Sequence, residues 1–317
     1  MNYWRLAIAT TLAAFALISI AVSIATALVG PPIARRLEKW APQRRATALF
    51  RLRITPAAAA SLGAFCVVLP TFLRYEPRDT GETLAMTLTG LAGAGALLLG
   101  AAVYRAICGW RQTHALARDW RREGRLVDSG NPRLPVVALD LPYPLVAVVG
   151  WRRPVLFIAE IALRACSSGE IRAMIAHEAA HVAARDNLKR LVLRASPDVY
   201  QTGRAVERGW AEAAEEAADA VAARSHPHAA LDLAQALIRI ARLAPARPPC
   251  APASAFYVGG DIDARVRRLL EPETGAARGS FLGRTLWLAG GLVAATMLIA
   301  GAPSLHAAIE VGLRLFP

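Results

Sequence analysis

The chain has 317 residues, 55% of them hydrophobic, and a formal net charge of +13; its mean hydropathy of +0.34 is high for a soluble protein. The apolar excess collects in four long uncharged stretches, and the remainder reads as an ordinary globular domain, so the length accommodates one or two domains. Of the four cysteines (Cys66, Cys108, Cys166 and Cys250), none sit at C-x-x-C metal spacing, and no disulfide framework is expected.

The first uncharged run, Leu6–Gly30, exceeds the ~20 residues needed to cross the hydrocarbon core. It is too long for the apolar region of a signal peptide, and a strongly basic loop follows it. The second run covers Ile54–Leu73. The third, Leu84–Tyr104, carries Gly90, Gly93, Gly95 and Gly100 at spacings that allow close helix approach in lipid. A fourth run, Thr285–Ile309, is long enough to span with tilt. None of these runs contains Asp, Glu, Lys or Arg, which argues against an ion-transport path.

Loop charge sets the orientation. Residues 31–56 carry seven basic residues against Glu38 alone, and the segment after the third run opens with Arg105, Arg111, Arg118, Arg121, Arg122 and Arg125. By the positive-inside rule both are cytoplasmic, which puts the N- and C-termini outside. This topology accounts for most of the positive charge, and no nucleic-acid partner is expected. The division is then three spans with a basic cytoplasmic loop in 1–107, a cytoplasmic domain in 108–280, and the fourth span with a short tail in 281–317.

Within the soluble part, Gln112–Glu123 reads as a basic helix continuing the third span. Val136–Leu139, Leu145–Val149 and Val155–Ile158 are valine-rich runs bounded by prolines and Gly150, and read as strands. Ser167, with Glu170 three residues on, has the capping pattern that opens a helix through Ile171–Arg185. Helices are also expected over about 188–193, 202–224 and 228–243. A proline-rich loop at 245–252 and a basic helix at Ile262–Leu270 complete the domain.

The chemistry lies in Ala173–Asn187, AMIAHEAAHVAARDN. His177 and His181, four residues apart, project from one helix face and can ligate a single Zn²⁺. Glu178 beside them is the candidate general base for the water that attacks the peptide bond. Gly209–Arg224 reads as a second helix, on which Glu215 and Asp219 share a face. Glu215 is assigned as the third zinc ligand and Asp219 as the carboxylate that orients His177, while Glu212 and Glu216 are read as the solvated face of that helix. Asp186 either hydrogen-bonds within the site or ends the helix ahead of Asn187. His226 and His228 lack ligand spacing, though an oxyanion role is open to them. The run Val155, Leu156, Phe157 and Ile158 is a candidate edge strand that would bind substrate as an added strand.

These residues resemble the integral-membrane zinc peptidases typified by the BlaR and MecR sensor-transducers, and secondarily the HtpX-like group. The resemblance is carried by PLVAVVGWRRPVLFI (Pro144–Ile158), the S-x-x-E of Ser167–Glu170, AHEAAHVAARDN (Ala176–Asn187) and EEAAD (Glu215–Asp219). It implies a mainly α protein: four transmembrane helices with a cytoplasmic α+β zincin-like (gluzincin) metallopeptidase domain between the third and fourth spans. One Zn²⁺ per chain, a multi-pass location in the bacterial inner membrane, and cleavage of a cytoplasmic protein such as a helix-turn-helix repressor are further implications. A quality-control protease and a catalytically silent metal-binding signalling partner are the alternatives. The lipid bilayer is an implied partner, with a separate sensor protein or a second copy of the chain as options. BlaR and MecR carry a penicillin-binding domain after the fourth span; so few residues follow Ile309 here that beta-lactam sensing by this chain alone is not expected.

Overall fold

In a computed structural model, residues 2–78, 85–127, 134–197, 203–243 and 262–271 are described. The fourth apolar run, Thr285–Ile309, lies outside them, as does the 245–252 loop. Three of the described helical stretches are long and apolar enough to cross a membrane, which marks a membrane protein.

The first is α1 (Asn2–Leu37). The second starts as α2 (Pro42–Ser61), widens through a π-helical segment, Leu62–Val68, and ends as α3 (Leu69–Tyr75). The third is α4 (Met86–Glu123), 38 residues without a break. At ~1.5 Å per residue α4 is about 57 Å long, too long for a bilayer, so its C-terminal half projects beyond the apolar segment. Of the four glycines in the third run, only Gly95 serves close approach: a Cβ there would collide with the backbone of Leu12 on α1. Gly90, Gly93 and Gly100 have nothing within 4 Å of that position, so their spacing reflects composition.

The segment 31–56, expected as a basic loop, is helical on both sides of a short turn. Helix α1 runs on to Leu37, and Pro42 starts α2 at a position where its missing N–H is harmless. Leu49 and Leu52 of α2 pack with Val206, Trp210, Ala213 and Ala214 of α8 (Gly203–Ala222).

Among the described residues the sheet has four strands: β1 (Arg125–Val127), β2 (Val136–Leu139), β3 (Val146–Val149) and β4 (Val155–Ala159), in the order β1-β2-β4-β3. Strand β1, exposed and three residues long, gives no sequence signal. Strands β2, β3 and β4 are buried throughout. One face packs on Trp120 of α4, whose ring meets Phe157 edge-on at 5.1 Å. The other packs on Ala173 and Met174 of α6 (Ser168–Ala184) and on Leu233, Leu237 and Ile240 of α9 (Ala229–Leu243). Burial on both faces explains why these strands read as unbroken apolar runs and not as alternating ones. The remaining helices are α5 (Glu160–Ala165), α7 (Asp186–Ala195) and α10 (Ile262–Leu270).

The sheet order corrects one expectation. Val155, Leu156, Phe157 and Ile158 form β4, which is hydrogen-bonded to β2 on one side and β3 on the other, so it has no edge for an added strand. The edge on that side belongs to β3. Chain order places the two strands one hairpin apart, and local sequence does not say which one is interior.

Candidate metal centre

Helix α6 opens on a capping box: Glu170 N–H donates to Ser167 Oγ (3.2 Å), and Ser167 N–H donates to Glu170 Oε2 (2.7 Å). Arg239 of α9 donates to the other Glu170 oxygen at 3.1 Å, tying the start of α6 to the core. Two turns on, His177, Glu178 and His181 are all buried. The four-residue spacing brings the Nε2 atoms of His177 and His181 to 3.2 Å.

Helix α8 crosses α6 and delivers Glu215, whose carboxylate oxygens lie 3.5 Å from His177 Nε2 and 3.4 Å from His181 Nε2. One donor atom from each of His177, His181 and Glu215 falls within 4.8 Å of the others. Each ring has its own carboxylate behind it, with Nδ1 of His177 2.9 Å from Asp219 and Nδ1 of His181 2.8 Å from Asp186. Both rings thereby present Nε2 to a common centre, and two imidazoles plus a carboxylate at this separation suit a metal ion that keeps a further position open.

The placing of Asp186 has a local cause. Arg185 ends α6 in the left-handed conformation (φ 57°), uncommon for a residue with a side chain, and starts α7 at once. The reversal turns Asp186 back onto His181. It also aims Asn187 at the sheet, where Nδ2 donates to the carbonyls of Val148 (3.0 Å) and Gly150 (3.1 Å). Val148 N–H donates in turn to Glu178 Oε2 at 3.0 Å, so the outer edge of β3 faces the candidate base.

Sequence reading missed Arg265, a fully buried arginine on α10. It donates from Nε (2.8 Å) and Nη2 (2.7 Å) to the two oxygens of Asp219, and its Nη1 lies 3.3 Å from Glu215. It is one of three arginines on a short basic helix, and nothing local singles it out. Glu216, expected to be solvated, is drawn into ion pairs with Arg45 of α2 and Arg268 of α10. His226 hydrogen-bonds the Pro227 carbonyl (2.8 Å) and faces Asp232.

Electrostatics follow from this packing. Burial opposes charge on His181, but Asp186 and Glu215 outweigh it and push the ring up to about 10. His177 is likewise raised by Asp219 and Glu215 against its burial. Burial raises the Glu178 carboxyl, partly offset by the neighbouring histidines, which suits a proton acceptor more than an ordinary surface carboxylate does. Glu215 and Asp219 go the other way despite burial. Their histidine contacts hold Glu215 well below the usual range, and His177 and Arg265 hold Asp219 at about 2.

Residues 147–244 match the family described as Peptidase family M48, a metallopeptidase family. The matched segment runs from β3 to the end of α9, so it contains both histidines, Glu178, Glu215 and Asp219 but not Arg265. No curated protein matches the chain.

Proposed function

We propose that the protein is a membrane-embedded zinc metalloendopeptidase, with His177, His181 and Glu215 holding one Zn²⁺ and Glu178 serving as general base. The observation that carries this reading is the convergence of three donor atoms from two helices beside a buried carboxylate. When bound, zinc supplies Lewis acidity that activates a water and polarises the scissile carbonyl.

The chain's own residues do the rest. Asp219 and Asp186 fix the orientation of the two rings through Nδ1. Arg265 neutralises Asp219 and faces Glu215, keeping both carboxylates charged inside the protein. Glu178 takes the proton from the attacking water and passes it to the leaving amine, a cycle helped by its raised affinity for protons. An extended substrate lies along the outer edge of β3, adding a strand and exchanging with Glu178 and Asn187 for the main-chain groups of Val148.

The basic ends of the apolar helices support a cytoplasmic peptidase domain in an inner membrane, N-terminus outside. The resemblance to BlaR and MecR supports a cytoplasmic regulatory protein as substrate, such as a helix-turn-helix repressor, with a separate protein as sensor.

Glu178→Ala in the full chain is expected to retain zinc and lose peptide-bond cleavage by at least about a hundredfold. Undiminished cleavage by that variant would refute the mechanism. Comparing the cellular proteins cut by the wild type and by this variant tests the substrate: one repressor supports the signalling role, and broad cleavage of unfolded membrane proteins supports the quality-control alternative.

A further inference from the structure

Beside the metal centre lies a second feature that the peptidase chemistry does not use. A cleft of about 1250 Å³ opens between the projecting half of α4, the β3–β4 hairpin and α7. Helix α4 contributes Arg118, Arg121 and Arg122; the hairpin contributes Arg152 and Arg153; α7 contributes Arg190 and Arg194. Among the described residues, no Asp or Glu lines it. All of these arginines except Arg190 are exposed. Arg118 pairs with Asp119 and Arg190 with Glu215, each at 3.6 Å, while Arg121, Arg122, Arg152, Arg153 and Arg194 meet no carboxylate among the described residues, so the cleft is complementary to an anionic ligand.

The cleft is continuous with the metal centre. Val148, Asn187 and Arg190 line its inner end. These residues also contact Glu178 (Val148), the edge of β3 (Asn187) and Glu215 (Arg190, at 3.6 Å). From Val148 the hairpin runs outward through Gly150 to Trp151, which is exposed and carries Arg152 over its ring at 5.5 Å. A chain lying along β3 and continuing past Gly150 therefore enters the arginine-lined space a few residues from the bond at the metal.

Position separates a peptide from a lipid headgroup. Lining residues on α4 run from Gly109 to Arg122. At ~1.5 Å per residue they stand about 7 Å to about 27 Å past Tyr104, where the apolar run ends, while the headgroup layer extends only about 5–7 Å. For an α4 standing normal to the bilayer, the cleft begins where the headgroups finish.

From this geometry we infer that the arginine-lined cleft is a specificity subsite for an acidic segment of the substrate polypeptide, seated a few residues from the scissile bond. The inference rests on the proposed peptidase reading for the path of the substrate, and its test is arranged so that the two fail separately.

The probe is a fluorescein-labelled ten-residue peptide carrying four glutamates at one end, compared with its glutamine counterpart. Binding is measured by anisotropy to the zinc-loaded full chain bearing Glu178→Gln, in phosphatidylcholine nanodiscs. The glutamate peptide is expected to bind at least about tenfold tighter, since several exposed arginine–carboxylate contacts act together. The advantage should shrink with added salt. Arg152→Glu with Arg153→Glu is expected to abolish the preference, and Arg118→Glu with Arg122→Glu, on the solvent side of α4, to do so independently of the hairpin's fold. Equal binding of the two peptides, or a preference untouched by both double variants, overturns the inference. So does loss of glutamate-peptide binding when the disc lipid is changed to phosphatidylglycerol, because the arginines would then serve headgroups. In the wild type, cleavage of both peptides at equal rates leaves the peptidase reading standing without the subsite. Tight binding of the glutamate peptide with no cleavage of either peptide does the reverse.

Discussion

On one side of the metal centre, His177, Glu178, His181, Asp186 and Asn187 come from a single short stretch of chain across the α6–α7 reversal. On the other side, Glu215, Asp219 and Arg265 are gathered from α8 and α10, far apart in sequence. The counter-charges differ as well. Asp186 is answered by Lys189 at 3.0 Å, a side chain 23% exposed, whereas Asp219 is clasped by both nitrogens of an arginine that is 2% exposed. The local half carries the reactive groups on a solvent-linked scaffold. The distal half is a buried charge network that holds only if every member is present.

The most severe break comes from Glu215→Gln. It removes the one charged member of the proposed ligand set, and both zinc and peptidase activity are expected to be lost together, in contrast to Glu178→Ala, which is expected to separate them. Full zinc occupancy by mass spectrometry in Glu215→Gln would contradict the ligand set. Next is Arg265→Leu, which leaves Asp219 as a buried carboxylate without its arginine and leaves Glu215 with Arg190 alone, at 3.6 Å. Breaking such a pair costs about 3–5 kcal/mol. Chemical denaturation of the detergent-solubilised protein should report a loss of that size, and Arg265→Leu combined with Asp219→Leu should recover part of it. A loss below about 1 kcal/mol would place Arg265 among ordinary surface pairs.

Replacing the carboxylates behind the rings sharpens the contrast. Asp219→Asn and Asp186→Asn are each expected to weaken zinc binding by roughly 10–100-fold. Only Asp219→Asn should also lower stability of the metal-free protein markedly, because it strands Arg265. Similar melting curves for the two variants would erase the distinction.

The smallest effect is a proton count. With His181 raised to about 10, its ring holds an extra proton at neutral pH in the metal-free protein, and the carboxylates beside His177 shift that ring in the same direction. Zinc must expel that proton, so its affinity falls as pH falls. The His181–Asp186 pairing stabilises the metal-free fold fully below about pH 6.5, the ordinary histidine value, and is lost as pH rises through about 10. Calorimetry of zinc binding in buffers of different ionisation enthalpy should show proton release. An enthalpy independent of the buffer would contradict it.

The same division explains what could be read from the sequence. The α6 motif was legible because helical spacing fixes which side chains share a face, and the capping box marks where that helix starts. Glu215 and Asp219 were legible for the same reason, one helix away. Arg265 was not, because its role depends on α10 packing against α8, and no spacing within α10 encodes that. The strands were visible as apolar runs, but their order was not. Hence the run of β4 reads as an edge, a place that belongs to β3. The basic segment after the first apolar run reads by its charge as a loop, yet Leu49 and Leu52 sit at helical spacing and Arg45 and Arg53 find partners on α8.

The contact between α2 and α8 bears on how the molecule can be dissected. Leu49 and Leu52 complete the packing around Trp210, and Arg45 holds Glu216, the residue next to the proposed ligand Glu215. A fragment trimmed to its soluble portion would expose the apolar flank of the helix that positions Glu215. Such a fragment is expected to aggregate or to purify without metal. The membrane hairpin is thus not a tether from which an autonomous enzyme hangs. The anchor and the helix that carries Glu215 share one core, so a change on either side of it is expected to be felt on the other.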